Sequence, residues 1–345
     1  MTEEARSSLM KYYLAPLEGI TTYIYRNAYH RIFTPADKYF TPFLVPRQKK
    51  SFSSRERNDI LPEHNPGLYT VPQLLTSRAE DFIRAARTLT EYGYEEINLN
   101  LGCPSGTVVS KGKGAGFLAH PQELNRFLEE VFANLSLRIS IKTRIGMEEP
   151  EEFGELLEIF NQYPLEELII HPRVREDYYR NPLRLSAFAA AMKESRNPVC
   201  YNGNIFSPQD FEGLKEKFPN LSAVMLGRGI IANPNLLGEC KERVPARQGD
   251  TGQDGKTERE PEKKKKQQFQ QFHALVYEDY QEILSGERSV LYKMKEFWSY
   301  MIQSFSGYEP YAKQIRKAES LRKYETVVQS LFREQEVTNH GRFSF

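Results

Sequence analysis

The sequence contains few cysteines, no long apolar run and almost no net charge. Its 345 residues include three cysteines, Cys103, Cys200 and Cys240, whose spacing forms no pair, so neither a disulfide framework nor a zinc site is expected. No stretch approaches the roughly 18 apolar residues of a membrane span, and the first residues lack the apolar core of a signal peptide. These absences predict a cytoplasmic protein, without membrane or metal partners, that we expect to be a monomer.

The formal net charge is only +1, so the chain as a whole is not a basic nucleic-acid-binding protein. Any surface for RNA would have to come from local clusters of lysine and arginine.

Short β-branched or apolar segments alternate along the chain with segments of helical periodicity. The candidate strands are Tyr12–Leu14, Tyr39–Phe43, Tyr69–Leu74, Glu96–Leu101, Arg138–Thr143, Glu167–His171, Val199–Asn202 and Ala223–Gly227. The candidate helices are Thr22–Ile32, Ser77–Tyr92, Pro121–Asn134, Glu151–Gln162, Leu185–Glu194 and Pro208–Lys217. Eight strands that alternate with helices favour a (β/α)₈ TIM barrel in the α/β class, and an open sheet of six or seven strands is the alternative.

The composition changes near residue 243. Residues 243–266 are polar and charge-rich, which is typical of a linker, and helical periodicity returns at Gln267 with Phe269 and Phe272. We therefore predict a barrel over residues 1–242, a charged linker over 243–266 and a small helical bundle over 267–345.

The stretch from Asn98 to Gly116, NLNLGCPSGTVVSKGKGAG, has the features of a catalytic loop. A strand-like run ends at Gly102, and Cys103 follows directly, in a loop with further glycines and two lysines. Glycines let backbone approach a ligand closely, and loops carry much of the chemistry of enzymes. An isolated cysteine is usually a small buried hydrophobic residue, but this setting favours a reactive role for Cys103.

Polar residues also follow the other predicted strands. In a TIM barrel the loops after the strands build the active site, and the loops after strands seven and eight commonly hold a phosphate. Taken singly, Gln73, Lys142 or His171 could be an ordinary capping, solvated or core residue. Together they would suit a planar heteroaromatic group with a phosphate tail.

In sequence and in order, these motifs resemble those of the dihydrouridine synthases. The matching segments extend from residue 12 to residue 240 and read APLEGIT, the strand that ends at Gln73, NLNLGCPSGTVV, GKGAGFLA, IKTRIG, IIHPR, YNGNI and LGRGII. The resemblance implies a flavoenzyme that uses FMN and NADPH to reduce particular uridines in folded RNA, usually tRNA. It also implies that the C-terminal helices bind this RNA.

The resemblance assigns roles to individual residues. Cys103 matches the proton donor of the family. The positions that match its flavin-binding residues are Pro16, Leu17, Glu18, Gln73, Lys142, His171, Asn202, Gly203, Asn204, Gly227 and Arg228. Further candidates, for contact with the RNA, are Asn100, Lys111, Lys113, Arg144 and Arg173. Leu17, Pro172 and Asn204 depart from the residues that family members often carry, so the target uridine stays open.

The chemistry of uridine reduction agrees with these assignments. Saturation of the C5–C6 bond of uracil needs a hydride at C6, which flavin N5 would supply, and a proton at C5. A cysteine with an ordinary pKa of about 8.5 is protonated at pH 7 and can act as the acid. Lys142 would stabilise negative charge on the reduced flavin, and the uracil would have to leave its stack to reach it.

Two functions of other kinds are alternatives. An FMN barrel that acts on a free pyrimidine, similar to dihydroorotate dehydrogenase, would share the fold and the cofactor but would not need C-terminal helices. An RNA-binding module without catalysis would not need Cys103, Lys142 and Arg228. Within the favoured family, ribosomal RNA is an alternative substrate.

Overall fold

The computed structural model describes residues 10–47, 52–242 and 259–338. Nine strand segments form one parallel sheet in the order β3-β2-β1-β9-β8-β7-β6-β5-β4. The segments are β1 Lys11–Leu14, β2 Lys38–Phe40, β3 Thr70–Val71, β4 Gln73–Leu74, β5 Glu96–Leu101, β6 Arg138–Arg144, β7 Glu167–His171, β8 Val199–Asn202 and β9 Ala223–Leu226. Each of the eight predicted strands is present, and β2 ends three residues earlier than predicted.

The sheet closes through a strand that Pro72 interrupts. Proline has no N–H to donate to a ladder, so the predicted strand Tyr69–Leu74 is divided into β3, which pairs with β2, and β4, which pairs with β5. The Pro72 carbonyl still accepts a hydrogen bond from the amide of Asn98 at 2.9 Å. The ring of strands is therefore a nearly closed TIM barrel, and the prediction of a barrel rather than an open sheet is confirmed.

Helices alternate with the strands at or near the predicted positions. They are α1 Tyr23–Ile32, α2 Ser54–Ile60, α3 Ala79–Glu91, α4 Gly106–Val109, α5 Pro121–Asn134, α6 Phe153–Phe160, α7 Leu185–Glu194, α8 Pro208–Lys217, α9 Arg228–Ala232, α10 Leu236–Glu242, α11 Arg259–Ile283, α12 Glu287–Met301, α13 Glu309–Lys317 and α14 Leu321–Glu334. α3 begins with the acidic side chains of Glu80 and Asp81, which complement the positive end of the helix dipole. α2 begins with a capping box between Ser53 and Glu56.

The chain divides into two compact units. The first holds every strand and comprises the residues up to Tyr23, 36–204 and 215–227, and the second comprises 24–35, 205–214 and the residues from Arg228 onward. Most of α1 belongs to the second unit because its aromatic side chains pack on α11, where Tyr25 meets Phe272 at a centroid distance of 5.3 Å. The periodicity of α1 did not reveal this packing, and the division of the chain at residue 242 stays a prediction.

The C-terminal helices begin within the segment predicted to be a linker. α11 starts at Arg259, because lysine and glutamine are good helix formers, and residues 243–258 lie outside the described residues. Phe269 and Phe272 are fully buried, as the spacing predicts. In the core of this unit, Nε1 of Trp298 donates to the hydroxyl of Tyr324 at 2.7 Å. Within the described ranges, no helix has both the length and the apolar character that crossing a bilayer requires.

One side of the barrel interior is polar. Side chains alternate along a strand, so Glu96, Asn98 and Asn100 share one face of β5. In the register of β5 with β6, Asn98 lies opposite Ser140 and Asn100 opposite Lys142. The other face of β5 carries only isoleucine and leucine, which suits contact with the surrounding helices.

A cluster of charges lies at the N-terminal end of the barrel interior. Nζ of Lys38 lies 2.7 Å from Oε2 of Glu96 and 3.5 Å from Oε1 of Glu166. On the same level, the Tyr13 hydroxyl donates to Oε1 of Glu167 at 3.0 Å, while Oε2 of Glu167 is buried without a hydrogen-bond partner. Burial raises the pKa of Glu167 to about 7, and Lys38 and Tyr13 only partly oppose this effect.

We expect the ionisation of Glu167 to make the barrel less stable at high pH. The folded-state pKa lies above the unfolded value, so the folded state binds the proton more tightly, and the resulting stability is lost as the pH rises through about 7. Relative to the natural protein, Glu167→Gln should therefore gain roughly 1–3 kcal/mol in free energy of unfolding between pH 5 and pH 8.5. Urea unfolding at the two pH values measures this difference.

The matched control is Glu166→Gln, which removes a neighbouring carboxylate whose side chain is 28% exposed. A gain of the same size in the control, or no gain in Glu167→Gln, would contradict the assignment to Glu167.

Candidate functional site

Cys103 lies in a loop that the side chain of Asn100 holds at its start. Oδ1 of Asn100 accepts hydrogen bonds from the amides of Gly102 at 3.0 Å and Cys103 at 2.9 Å. The chain then forms α4 and a 3₁₀ turn over Gly114–Ala119, and the amide of Ala115 donates back to the Cys103 carbonyl at 3.1 Å. The thiol is half-buried, whereas Cys200 and Cys240 are fully buried in packed regions.

The return of this loop depends on Gly114. Its φ is +57°, and a Cβ atom there would lie 2.9 Å from the carbonyl oxygen of Cys103 and 3.0 Å from its Cβ. Both the backbone conformation and the space therefore require glycine. Gly112 has a similar φ of +60° but has no atom within 4 Å of the position of a Cβ.

The surroundings of Cys103 keep its thiol protonated. Burial raises the pKa of the thiol, although a backbone hydrogen bond involving Ser105 and the charges of Arg144 and Lys142 act in the opposite direction. A protonated thiol at neutral pH can donate a proton, so the state of Cys103 suits a general acid better than a nucleophile.

Lys142 brings a cation into the barrel from β6. Burial, and then the charge of Arg144, lower the pKa of its ammonium group to about 8, so most molecules keep the charge at pH 7. Among the described residues, no carboxylate forms an ion pair with Lys142 or contributes to this shift. A cation without a protein anion can stabilise negative charge on a ligand.

Gln73 connects two strands beside the cysteine loop. Its Nε2 donates to Oδ1 of Asn98 at 2.8 Å, and its Oε1 accepts from Nδ2 of Asn100 at 2.6 Å. Each of the terminal amide nitrogens of Gln73 and Asn100 has a second N–H that these bonds do not use. The two side chains can therefore donate to acceptor atoms of a ligand.

Arg144, a predicted RNA contact, is engaged by backbone carbonyls of two loops. The side chain is fully buried, and its guanidinium donates to the carbonyls of Gly102 at 3.1 Å, Val174 at 2.8 Å and Tyr178 at 2.7 Å. Its cation also lies 5.2 Å from the ring centroid of Tyr179. Arg144 therefore ties the start of the cysteine loop to the loop that follows β7.

His171 and Arg173, at the end of β7, are also buried. Nη1 of Arg173 lies 3.5 Å from Nε2 of His171 and donates to Oδ1 of Asn204 at 3.3 Å, while its Nε donates to the Asn181 carbonyl at 2.7 Å. Arg173, which is 2% exposed, thus joins two residues of the predicted flavin site and is less suited to an outer contact with RNA.

The other predicted flavin residues follow β1, β8 and β9 in the first unit. Nδ2 of Asn202 donates to the Met225 carbonyl at 2.8 Å, and a Cβ on Gly203 would overlap the ring and hydroxyl of Tyr201. Close backbone packing of this kind leaves the Asn-Gly-Asn loop little freedom. The remaining members of this set in the first unit are Pro16, Leu17, Glu18 and Gly227.

Leu17 packs against the apolar cluster of the barrel interior, and Glu18 forms an exposed ion pair with Arg55 at 3.3 Å. Arg228 belongs to the second unit, where its guanidinium lies 5.5 Å from the ring centroid of Phe206. Lys111 is exposed and Lys113 half-exposed on the cysteine loop, so both remain available for contact with a substrate.

Two features of the site are absent from the sequence prediction. The first is the exposed pair Tyr178 and Tyr179, of which Tyr178 has a positive φ of 47°, and the ring of Tyr179 lies 5.9 Å from that of His171. The second is the polar face of β5 and β6 below Gln73. The alternation in EINLNL and RISIK could have revealed the second feature, since every other residue is polar.

Within the described part of the chain, no group of three or more histidine, cysteine, aspartate or glutamate side chains is placed to hold a metal ion.

Comparison with known proteins identifies the same family that the sequence motifs resemble. The model of the dihydrouridine synthase family matches residues 13–337. A probable tRNA-dihydrouridine synthase of Staphylococcus aureus (strain Mu50) is 29% identical over 234 residues, which cover 64% of this chain and 68% of that protein. The tRNA-dihydrouridine synthase B of Pasteurella multocida is 26% identical over 228 residues, or 65% and 67% of the two chains.

Solved structures with a similar arrangement are more distant. Morphinone reductase in complex with tetrahydroNAD has a TM-score of 0.48 and 13% identity, over 70% of this chain and 89% of that one. A variant of NCR from Zymomonas mobilis has a TM-score of 0.47 and 16% identity, over 68% and 87%.

We expect Gly114→Ala to displace the segment that carries Cys103. The added methyl group would press on the Cys103 backbone in addition to the cost of a positive φ, so the loss in free energy of unfolding should exceed the roughly 1 kcal/mol expected for the backbone alone. Urea unfolding, together with the rate at which iodoacetamide alkylates Cys103, measures both effects.

Gly112→Ala is the matched control, since it has the same kind of backbone conformation without the steric contact. Equal losses in the two variants, with equal alkylation rates, would show that Gly114 has no special role at the cysteine.

Proposed function

Because this chain belongs to the dihydrouridine synthase family, a family of flavin-dependent oxidoreductases, we propose that it reduces specific uridines of tRNA to 5,6-dihydrouridine with FMN and NADPH. The observation that carries this proposal is a half-buried cysteine in a loop that Asn100 and Arg144 hold, in a barrel that also contains a lysine with no ion pair among the described residues. The family model matches this chain over residues 13–337. A tRNA substrate also favours a cytoplasmic location.

The residues of the site fit a flavin. Lys142 supplies a cation without a protein anion, and Gln73 supplies amide N–H groups at the level of β4. We propose that these two side chains and His171 hold the ring system. The phosphate would lie at the loop of Asn202, Gly203 and Asn204 and at Gly227, because tight glycine turns expose backbone N–H groups to anions.

Bound reduced FMN supplies a hydride for C6 of the uracil. The protein supplies the other requirement, a proton at C5, from the thiol of Cys103, whose pKa burial keeps above its ordinary value. Asn100 and Arg144 form hydrogen bonds to the backbone of the cysteine loop and hold it in place. The Cys103 thiol is therefore positioned before the reaction, and no conformational entropy has to be lost to place it. Lys142 favours the negative charge that develops nearby.

An exposed basic cluster on α13 and at the start of α14 is the proposed contact with the RNA backbone. Its members are Lys313, Arg316, Lys317, Arg322 and Lys323, and Glu309 and Glu319 are acidic residues next to them. Three of the five line a groove of about 410 Å³ beside Tyr308. The ion pairs within the described part of this unit involve other side chains, so the cluster remains available for phosphates.

The lysine run Lys263–Lys266 at the start of α11 offers only two of its four side chains to this proposed surface, because the other two form ion pairs. Lys265 pairs with Glu239 at 2.6 Å and Lys266 with Glu336 at 3.2 Å. Lys263 and Lys264 are exposed and remain candidates for contact with RNA.

The proposed function is tested by mapping dihydrouridine in total RNA from a deletion strain, with and without the restored gene. We expect one or a few tRNA positions to lose the modification and regain it. Loss only in ribosomal RNA would establish the alternative substrate, and unchanged RNA with turnover of free orotate would refute the proposal. Release of the flavin by heat, followed by chromatography, identifies FMN, and anaerobic reduction compares NADPH with NADH.

Cys103→Ala should abolish the proton transfer while it leaves flavin binding and reduction by NADPH nearly unchanged, because neither step uses that proton. Single-turnover reoxidation by substrate tRNA should slow by roughly 10²–10⁴-fold, the usual contribution of a general acid. Cys200→Ala and Cys240→Ala are the controls, since both side chains are fully buried and should affect stability alone. A natural rate of dihydrouridine formation in Cys103→Ala would mean that another group donates the proton.

Replacement of Lys313, Arg316 and Lys317 by glutamine should weaken the binding of tRNA by at least about tenfold at moderate salt, because three phosphate contacts are lost. It should also reduce the slope of log K against log salt by about 2–3. Filter binding at two or more salt concentrations measures both quantities. The control replaces Lys193, Arg196 and Lys217, which are also exposed, and changes the net charge equally. Equal effects of the two triple variants would refute a specific role for the basic cluster.

A further inference from the structure

A continuous chain of hydrogen bonds runs through the barrel from the charge cluster to the cysteine loop. In its lower half, Nζ of Lys38 contacts Oε2 of Glu96 at 2.7 Å, and Oε1 of Glu96 accepts from the Ser140 hydroxyl at 2.9 Å. The oxygen of Ser140 in turn accepts from Nδ2 of Asn98 at 3.0 Å. All four side chains are buried, so water does not compete for these bonds.

The upper half continues through two more amides. Oδ1 of Asn98 accepts from Gln73, and Oε1 of Gln73 accepts from Asn100. Oδ1 of Asn100 then accepts from the amides of Gly102 and Cys103. The four members between Glu96 and the cysteine loop each donate toward Glu96 and accept from the side of Cys103; they are Ser140, Asn98, Gln73 and Asn100.

The direction of the chain is fixed at its lower end. A carboxylate can only accept, so Ser140 has to donate its single proton to Glu96 and accept from Asn98. The side-chain amides of Asn98, Gln73 and Asn100 can then each adopt only one of two orientations. In the opposite orientation, an NH₂ group would face another donor, or an oxygen would face another acceptor. Reversal at any point would turn the NH₂ group of Asn100 toward the N–H groups of Gly102 and Cys103.

We propose that Ser140 and Glu96 are positioning residues for Cys103, which act by fixing the orientation of the Asn98, Gln73 and Asn100 side chains. They lie below the residues that would contact flavin or RNA and do not take part in the reaction. The inference adds to the proposed role of Cys103 and extends it to residues to which the family motifs assign no role.

Two substitutions interrupt the chain in different ways. Ser140→Ala removes the link between Glu96 and Asn98. Glu96→Gln retains the size of the side chain, but Lys38 contacts the amide oxygen, so the NH₂ group faces Ser140. The Ser140 hydroxyl then loses its acceptor and can donate to Asn98 instead, so the orientation of the amides above is no longer fixed from below. In both variants a fraction of molecules should lose the bonds from Asn100 to the cysteine loop.

The measurement is the pH profile of alkylation of Cys103 by iodoacetamide in the full-length protein, with the site of labelling verified by mass spectrometry. Cys200 and Cys240 are fully buried and should not react in folded protein. We expect Cys103 to react roughly three- to tenfold faster in Ser140→Ala and Glu96→Gln than in the natural protein. The loss of about one hydrogen bond should raise the fraction of molecules in which the cysteine loop is displaced by this factor. Ser140→Thr keeps the hydroxyl and should react at the natural rate.

The matched control is Glu167→Gln, which changes a second carboxylate of the same charge cluster that is not bonded to Ser140. A natural rate in Ser140→Ala, or an equal increase in Glu167→Gln, would overturn the proposal. If Ser140→Thr or Glu96→Gln does not fold, the comparison of Ser140→Ala with Glu167→Gln still decides. Alkylation requires no RNA and no turnover, so the result stands whether or not the proposed uridine reduction is correct.

Discussion

A carboxylate buried in a barrel has to be satisfied from within the barrel, and the arrangement of this interior depends on that requirement. The effective cost of burying an ion is several kcal/mol, so Glu96 is held by Lys38 and by the hydroxyl of Ser140. The polar atoms of Ser140 that do not contact Glu96 are also buried, so they need a hydrogen-bond partner, and the same holds for each following side chain. The need is met step by step along the inward faces of β4, β5 and β6, and it ends at backbone N–H groups beside Cys103.

Burial also sets the chemical state of the two reactive groups. A low dielectric disfavours every charged form, so it raises the pKa of the Cys103 thiol and lowers that of the Lys142 ammonium group. The two effects leave a neutral acid and a cation together at pH 7, because the pKa of Lys142 falls only to about 8. A more exposed cysteine beside the same lysine would be closer to a thiolate, which cannot donate a proton.

The sequence alone predicted those parts of the fold that depend on local pattern. Strand positions follow from short apolar runs, and glycine and proline mark the turns, so the barrel and the position of Cys103 could be predicted. The polar face of β5 and β6 is absent from the prediction because that prediction rests only on the apolar residues of Glu96–Leu101. The alternation of polar and apolar residues marks two faces, but which of them points into the barrel depends on the fold. The packing of α1 on α11 depends on contacts such as Tyr25 with Phe272, which are far apart in the chain.

The basic residues show why composition at a strand end does not establish a role. Lys142 and Arg144 are two positions apart on β6 and look equally suited to an anion. Among the described residues no carboxylate pairs with Lys142, whereas Arg144 donates to three backbone carbonyls. The acceptors that engage Arg144 are backbone carbonyls, and no sequence motif records where a carbonyl will point. A charged side chain serves a ligand only when the fold leaves it unsatisfied. The match to a family therefore indicates which chemistry to expect, and the hydrogen-bond partners decide which residues are available to perform it.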